Sequence, residues 1–219
     1  MSIVTRLAGV RQRVDAACRT AGRDPASITL VAVSKTRSAG ECHQAVAAGQ
    51  AVLGENYAQE LRDKAAEVPE AWWHFIGPLQ RNKVKLVVGV AQLIHSVDSL
   101  ALLDEISARA EKLHLTQRCL LQVNVGAERQ KSGCAPAEVA ALLGRFAELP
   151  AVSCDGLMCI PPVGEDPVPH FRALRALADQ HGLQQLSMGM SDDFEAALAE
   201  GATLVRIGTA IFGPRTKKA

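Results

Sequence analysis

The stretch ITLVAVSKT, residues 28–36, decides how this chain is read. Ile28 to Val33 form an unbroken apolar and β-branched run, which suits a strand buried on both faces, as in parallel sheets. Side chains alternate along a strand, so Val31, Val33 and Lys35 share a face. If that face is the inside of a barrel, an amine sits at the carboxyl end of an apolar run. Burial there favours the neutral, nucleophilic form. The bland alternative is a strand-end lysine whose stem covers apolar surface while its head reaches water. Local sequence leaves both open.

Working outward, the same pattern recurs. Before it, residues 1–22 read as an amphipathic helix with Ile3, Leu7, Val10, Val14 and Ala17 on one face, stopped by Gly22 and Pro25. After it, strands are expected at 51–53, 73–76, 93–95, 118–125, 152–159, 185–188 and 203–207. Helical segments at 38–48, 57–67, 79–88, 99–112, 136–148, 168–181 and 192–200 separate them. Eight strands with alternating helices predict a single (β/α)₈ barrel over residues 1–219, with a basic tail at 215–219. A doubly wound open sheet, the rival, usually carries fewer strands.

Composition narrows the function. The 219 residues carry a formal net charge of +1 and only 4% aromatics, which gives no basic surface for nucleic acid and no stacking platform. No run of 18 apolar residues suggests a membrane span. The N-terminus has charges where a signal peptide needs an apolar core, so the cytoplasm is expected. The six cysteines (18, 42, 119, 134, 154 and 159) are scattered without CxxC spacing, and read as reduced thiols rather than metal ligands. No metal is expected.

In such a barrel the working face is the carboxyl end of the strands, and anions commonly sit at the loops after strands 7 and 8. Those loops are Ser187-Met188-Gly189-Met190-Ser191 and Arg206-Ile207-Gly208-Thr209. Gly189 and Gly208 allow close backbone approach, Ser191 is placed to cap the next helix, and Asp192-Asp193 suit its first turn. An ordinary helix start explains the first loop as well. Arg206 is predicted to be buried and to need a partner, either an acid such as Asp155 or a ligand atom. Lys131 is either a solvated loop charge or a second amine. His74 and His95 read as satisfied core groups, and Arg81, Lys83 and Lys85 as a wet helix face.

Taken together, the motifs resemble the YggS/PROSC family of pyridoxal 5′-phosphate (PLP) homeostasis proteins. The matching segments are VAVSKTR ending at Arg37, GENYAQE (54–60), WHFIGPLQRNK (73–83), IHSVDS (94–99), QVNV (122–125), ERQKSG (128–133), GLMCI (156–160), SMGMSDDFEAA (187–197) and VRIGTAIFG (205–213). The resemblance implies a barrel similar to the N-terminal domain of alanine racemase. It implies that Lys35 forms a Schiff base with PLP and that Arg206 faces the pyridine nitrogen. Ser191, Gly208 and Thr209 would cradle the phosphate, with Met190 and Asn56 near the cofactor and Lys131 assisting its handling. Position 37 departs: many relatives carry Lys there, and Arg37 cannot act as a transient amine acceptor.

Two roles follow from the resemblance. One is a monomeric carrier that buffers PLP and delivers it to apo-enzymes, with no catalytic residue assigned. A guanidinium leaves the ring nitrogen unprotonated and the electron sink weak, and Tyr57, the sole tyrosine, lies beyond strand 2. The racemase fold's second β domain, which supplies a tyrosine, is not expected here. The alternative is a racemase-type PLP enzyme using Lys35 as one base. A cofactor-free Schiff-base aldolase is a third reading.

Overall fold

The computed structural model describes residues 1–128 and 130–214. The expected basic tail lies outside the described residues. Eight parallel strands close in sequence order: β1 Thr29–Val33, β2 Val52–Glu55, β3 Trp72–Phe75, β4 Leu93–Val97, β5 Gln117–Gln122, β6 Val152–Met158, β7 Gln185–Ser187 and β8 Leu204–Ile207. The seam is β8 against β1, in register from Thr29 opposite Leu204 to Ala32 opposite Ile207.

Among the described residues eight α-helices accompany them: α1 Ile3–Thr20, α2 Ala39–Ala47, α3 Ala58–Glu67, α4 Leu100–Lys112, α5 Val139–Glu148, α6 Val168–Gln180, α7 Phe194–Ala199 and α8 Thr209–Phe212. The last is one turn long. The N-terminal α1 packs against α8, α7 and α2, supplying the outer cover that so short a helix cannot. Its buried stripe is Ile3, Leu7, Val10, Val14 and Cys18, with Cys18 rather than Ala17 completing the face. Ser2 caps it by accepting from the Thr5 amide.

Two expected elements come out differently. Segment 79–88 holds a 3₁₀ helix at Arg81–Leu86 rather than an α-helix. Pro78 precedes it, β-branched Val87 and Val88 follow, and Gly89 at φ +83° ends the path, so no full α-helix propagates. The helix expected at 192–200 begins at Phe194, with Asp193 at its N-cap. Ser191 is therefore not the cap. The Asp193 carboxylate instead accepts from the Met190 amide at 2.6 Å, which bends the chain back before the helix starts.

The core has two parts. A large cluster fills the space between strands and helices, and a small one, Val31, Leu93, Leu120, Met158 and Leu204, fills the barrel itself. Val31 on the inside fixes the parity of β1, so Val33 and Lys35 face inward at the carboxyl end. All six cysteines are free thiols, and burial pushes Cys42 and Cys154 up to about 11, and Cys134 and Cys159 up to about 12. They are protonated and inert at neutral pH. Among the described residues no helix is long and apolar enough to cross a membrane, and no three-residue His/Cys/Asp/Glu cluster could hold a metal.

Candidate functional site

The carboxyl-end mouth holds a cleft of about 250 Å³, lined by Val33, Lys35, Asn56, Ile76, Ile160, Met190, Ser191, Asp192, Arg206, Gly208 and Thr209. Seven of the eight residues expected at the site therefore meet in one place. The volume lies just below the roughly 300–1,000 Å³ of typical small-molecule pockets, so it admits a single small ring with a short arm rather than a dinucleotide. Alternation could also have found Ile76, two residues after inward-facing His74, and Ile160, two after Met158.

Lys35 leaves β1 in a tight turn. The Arg37 amide donates to the Ser34 carbonyl at 2.9 Å, and Thr36 sits at φ +64°. A β-branched residue in the left-handed region is strained by roughly 1–3 kcal/mol. Arg37 itself points away from the cleft. Its guanidinium donates to the carbonyls of Gly213 and Pro214 and stacks over Phe212, tying the end of β1 to the end of α8.

Asn56 follows β2. Its Oδ1 is buried and has no hydrogen-bond partner among the described residues. An unpaired buried amide oxygen is costly, and in a cleft it marks a place where a ligand donor would be favourable. Gly77 holds this residue in place: a Cβ there would lie 2.2 Å from the Asn56 carbonyl oxygen, so only glycine lets the β3 loop pass.

Arg206, on β8, is 4% exposed. Its Nη1 donates to Ser187 Oγ at 2.6 Å and its Nη2 to the Cys159 carbonyl at 2.9 Å. Among the described residues it makes no ion pair. Asp155, the acid expected as one of its two alternative partners, pairs instead with Arg118 at 2.6 Å. The cause is an irregularity in the β5–β6 register: Cys119 faces Cys154 but Leu120 faces Gly156, and Asp155 is the extra residue. Such bulges re-aim a side chain. Burial lowers the Arg206 pKa, yet a guanidinium starts so high that it stays charged. A desolvated cation whose contacts are neutral acceptors, with Asp193 acting on it only through space, favours an electron-rich ligand atom.

Behind Arg206 runs a directed chain of hydrogen bonds. Because Ser187 Oγ accepts from Arg206, its own proton is left to donate to His95 Nδ1 at 2.8 Å. His95 must then carry its proton on Nε2, which donates to His74 Nδ1 at 2.9 Å. Burial, then the penalty of charging beside His74 and the Arg206 guanidinium, pushes the His95 pKa well down; burial and then Arg118 push His74 down to about 4. Both imidazoles are neutral, as the chain requires. The histidines are thus satisfied core groups, satisfied by each other and by Ser187.

The far side of the cleft is built by the last two loops. Gly189 sits at φ +90°, and a Cβ there would meet the Ala197 Cβ at 2.6 Å. Gly208 and Thr209 begin α8, where first-turn amides have no intrahelical acceptor. Lys131 does not line the cleft. Its ammonium pairs with Glu128 at 2.5 Å and donates to the Pro161 carbonyl at 3.0 Å, joining the β5 loop to the β6 loop that carries Ile160.

At the amino-end mouth lies a larger cavity, about 550 Å³, whose lining includes Trp72, His74, Gln92, Gln117 and Arg118. There several polar groups are spent within the protein. The Gln117 amide accepts from Gly89 and donates to Ala91, Gln92 accepts from the Trp73 amide, and Arg118 is neutralised by Asp155.

Residues 6–216 match the family described as alanine racemase, N-terminal domain. A Pseudomonas aeruginosa protein named pyridoxal phosphate homeostasis protein is 46% identical, covering 98% of this chain and 96% of its own length. A protein of the same name from Aquifex aeolicus is 44% identical, over 98% of this chain and 99% of its own. Among solved structures, PipY of Synechococcus elongatus with PLP bound superposes with a TM-score of 0.84 at 37% identity, covering 97% of this chain and 100% of its own. The chain belongs to the alanine racemase N-terminal domain family and, within it, to the pyridoxal phosphate homeostasis proteins.

Proposed function

We propose that this chain binds PLP in the carboxyl-end cleft, as a Schiff base through Lys35 Nζ, and acts in the cytoplasm as a monomeric carrier that buffers PLP and hands it to apo-enzymes. The observation that carries this reading is the convergence of one amine, one buried guanidinium that makes no ion pair among the described residues, and two glycine-bearing loops on a single small cleft. The residues fit the group. Asn56 Oδ1 is a buried acceptor awaiting a donor, and Arg206 is a buried cation awaiting an electron-rich atom.

When bound, PLP supplies an aldehyde for an amine and a ring that withdraws electrons. The chain's own residues do the rest. Lys35 provides the amine. Arg206 would face the ring nitrogen as a donor that does not give up its proton, which would leave the ring a weak electron sink. Ser191, Gly208 and Thr209 would hold the phosphate, Met190 and Asn56 would flank the ring, and Lys131 would act through the two loops it joins. Two-base chemistry needs a second proton-transfer group. Tyr57 lines a neighbouring surface pocket with Asn56 rather than this cleft, which supports binding over turnover.

The test is an absorbance spectrum of purified protein before and after borohydride, followed by peptide mapping. A reduced adduct on Lys35 is the expected result, and an adduct elsewhere, or none, overturns the reading. Exchange of the α-proton of L-alanine in D₂O at rates of order 1 s⁻¹ would sink the carrier role.

A further inference from the structure

The segment GENYAQE contributes Asn56 to the cleft, but its two glutamates do not line it. They meet a lysine instead. Glu55 and Lys64 are both buried, and Lys64 Nζ donates to Glu55 Oε1 at 2.6 Å and to Glu60 Oε2 at 2.8 Å. Burying such a group without strong compensation is unfavourable, so a buried lysine bridging two carboxylates calls for a reason beyond stability.

The remaining bonds of the cluster supply that reason. Among the described residues, all of these side-chain bonds fall on the two peptide neighbours of Lys35. On one side, Lys64 Nζ donates to the Ser34 carbonyl at 2.8 Å, and Ser34 Oγ donates to Glu55 Oε1 at 2.7 Å. On the other, the Thr36 amide donates to Glu60 Oε2 at 2.8 Å. Thr36 is the residue at φ +64°, a conformation a β-branched side chain avoids unless its surroundings impose it.

We propose that Lys64, Glu55 and Glu60 form a clamp that positions Lys35: they grip the backbone immediately before and after it and hold Thr36 in its left-handed turn, so that the lysine stem leaves β1 toward the cleft. None of the three lines the cleft, so they are positioning residues. The inference rests on Lys35 being the PLP-linked amine. It adds that the amine is aimed from behind, by α3 and the end of β2.

Glu60→Gln is the informative variant, because Glu60 lies at the part-exposed edge of the cluster and the change keeps its shape. Three quantities are read on wild type, Glu60→Gln and Lys64→Met. They are the rate of PLP attachment to Lys35 followed by borohydride trapping, the affinity for pyridoxine 5′-phosphate, and the thermal melt. Pyridoxine 5′-phosphate has no aldehyde and needs the cradle but not the amine. The expected result is attachment slowed roughly ten- to a hundredfold, the range for a reacting group displaced by about an ångström, with pyridoxine 5′-phosphate binding unchanged. Glycine adopts the left-handed turn without help. The double variant Thr36→Gly/Glu60→Gln should therefore recover most of the lost rate.

Attachment at the wild-type rate in Glu60→Gln overturns the clamp. So does an equal loss of pyridoxine 5′-phosphate binding, or failure of Thr36→Gly to rescue. Should Lys64→Met not fold, Glu60→Gln and its rescue decide alone. If wild type forms no adduct on Lys35, the PLP reading itself has failed, an outcome distinct from all of these.

Discussion

The two mouths of the barrel differ in the opposite sense from their sizes. The amino-end cavity is about 550 Å³ and the carboxyl-end cleft about 250 Å³. Yet in the larger one two glutamines meet backbone and the arginine meets aspartate, so these polar groups are already satisfied. In the smaller one an amide oxygen is buried without a hydrogen-bond partner, and a guanidinium is buried with neutral acceptors but no ion pair among the described residues. What separates a site from a dent is the chemistry left open in its lining. An unpaired buried polar group costs on the order of 1–3 kcal/mol, and a ligand that pairs it recovers that energy on binding.

The largest effect that would sharpen this contrast is on Lys35. Lys35→Ala should abolish the borohydride-trapped PLP adduct while leaving the circular dichroism and thermal melt as in wild type; a full yellow band that persists would move the attachment elsewhere. Next comes Arg206→Met. Losing a charged hydrogen bond worth roughly 1.5–3 kcal/mol should weaken PLP binding about ten- to a hundredfold, read by titrating apo-protein. Unchanged affinity would mean the buried cation serves the fold alone.

A third prediction joins the two mouths through the histidine chain. His74 has a folded pKa of about 4 against an ordinary 6.5. Between these values the unfolded chain binds a proton that the folded chain refuses, so stability falls as pH drops from about 6.5 to 4. His95, pushed down more strongly, acts in the same direction. Thermal melts from pH 7.5 to 4.5 should show a loss of a few kcal/mol, reduced in His74→Phe. A flat profile would mean the imidazoles charge without penalty. The smallest effect belongs to the large cavity. Trp72, 62% exposed there, should tolerate Ala with less than about 0.5 kcal/mol change in stability and no change in PLP affinity. A clear loss of affinity would break the comparison outright.

Much of this architecture could be read from the residues. Short apolar runs located every strand, and the parity of Val31, Val33 and Lys35 carried the amine to the inside. Sequence was silent where partners are distant. That Asp155 serves Arg118 rather than Arg206 follows from a one-residue register shift between β5 and β6, which no local pattern announces. Ser191 looked like a helix cap because serine favours that position, but the Asp193 carboxylate had already folded back onto Met190. Lys131 was ambiguous because its place depends on two loops meeting. The clamp behind Lys35 was hidden for the same reason: Glu55, Glu60 and Lys64 look like ordinary charges of a strand end and a helix until β1, β2 and α3 are packed together.

The seam of the barrel has a consequence in time. Lys35 belongs to the first strand and Arg206, Gly208 and Thr209 to the last, and the two strands become neighbours only when the sheet closes on itself. During synthesis the lysine proposed to hold PLP emerges early, and the loops proposed to retain its phosphate emerge much later. A half-made chain therefore has an amine but nowhere to keep an aldehyde, and long-range closure of this kind is among the slower events of folding. Possession of the cofactor, on this geometry, certifies that the whole ring has been completed.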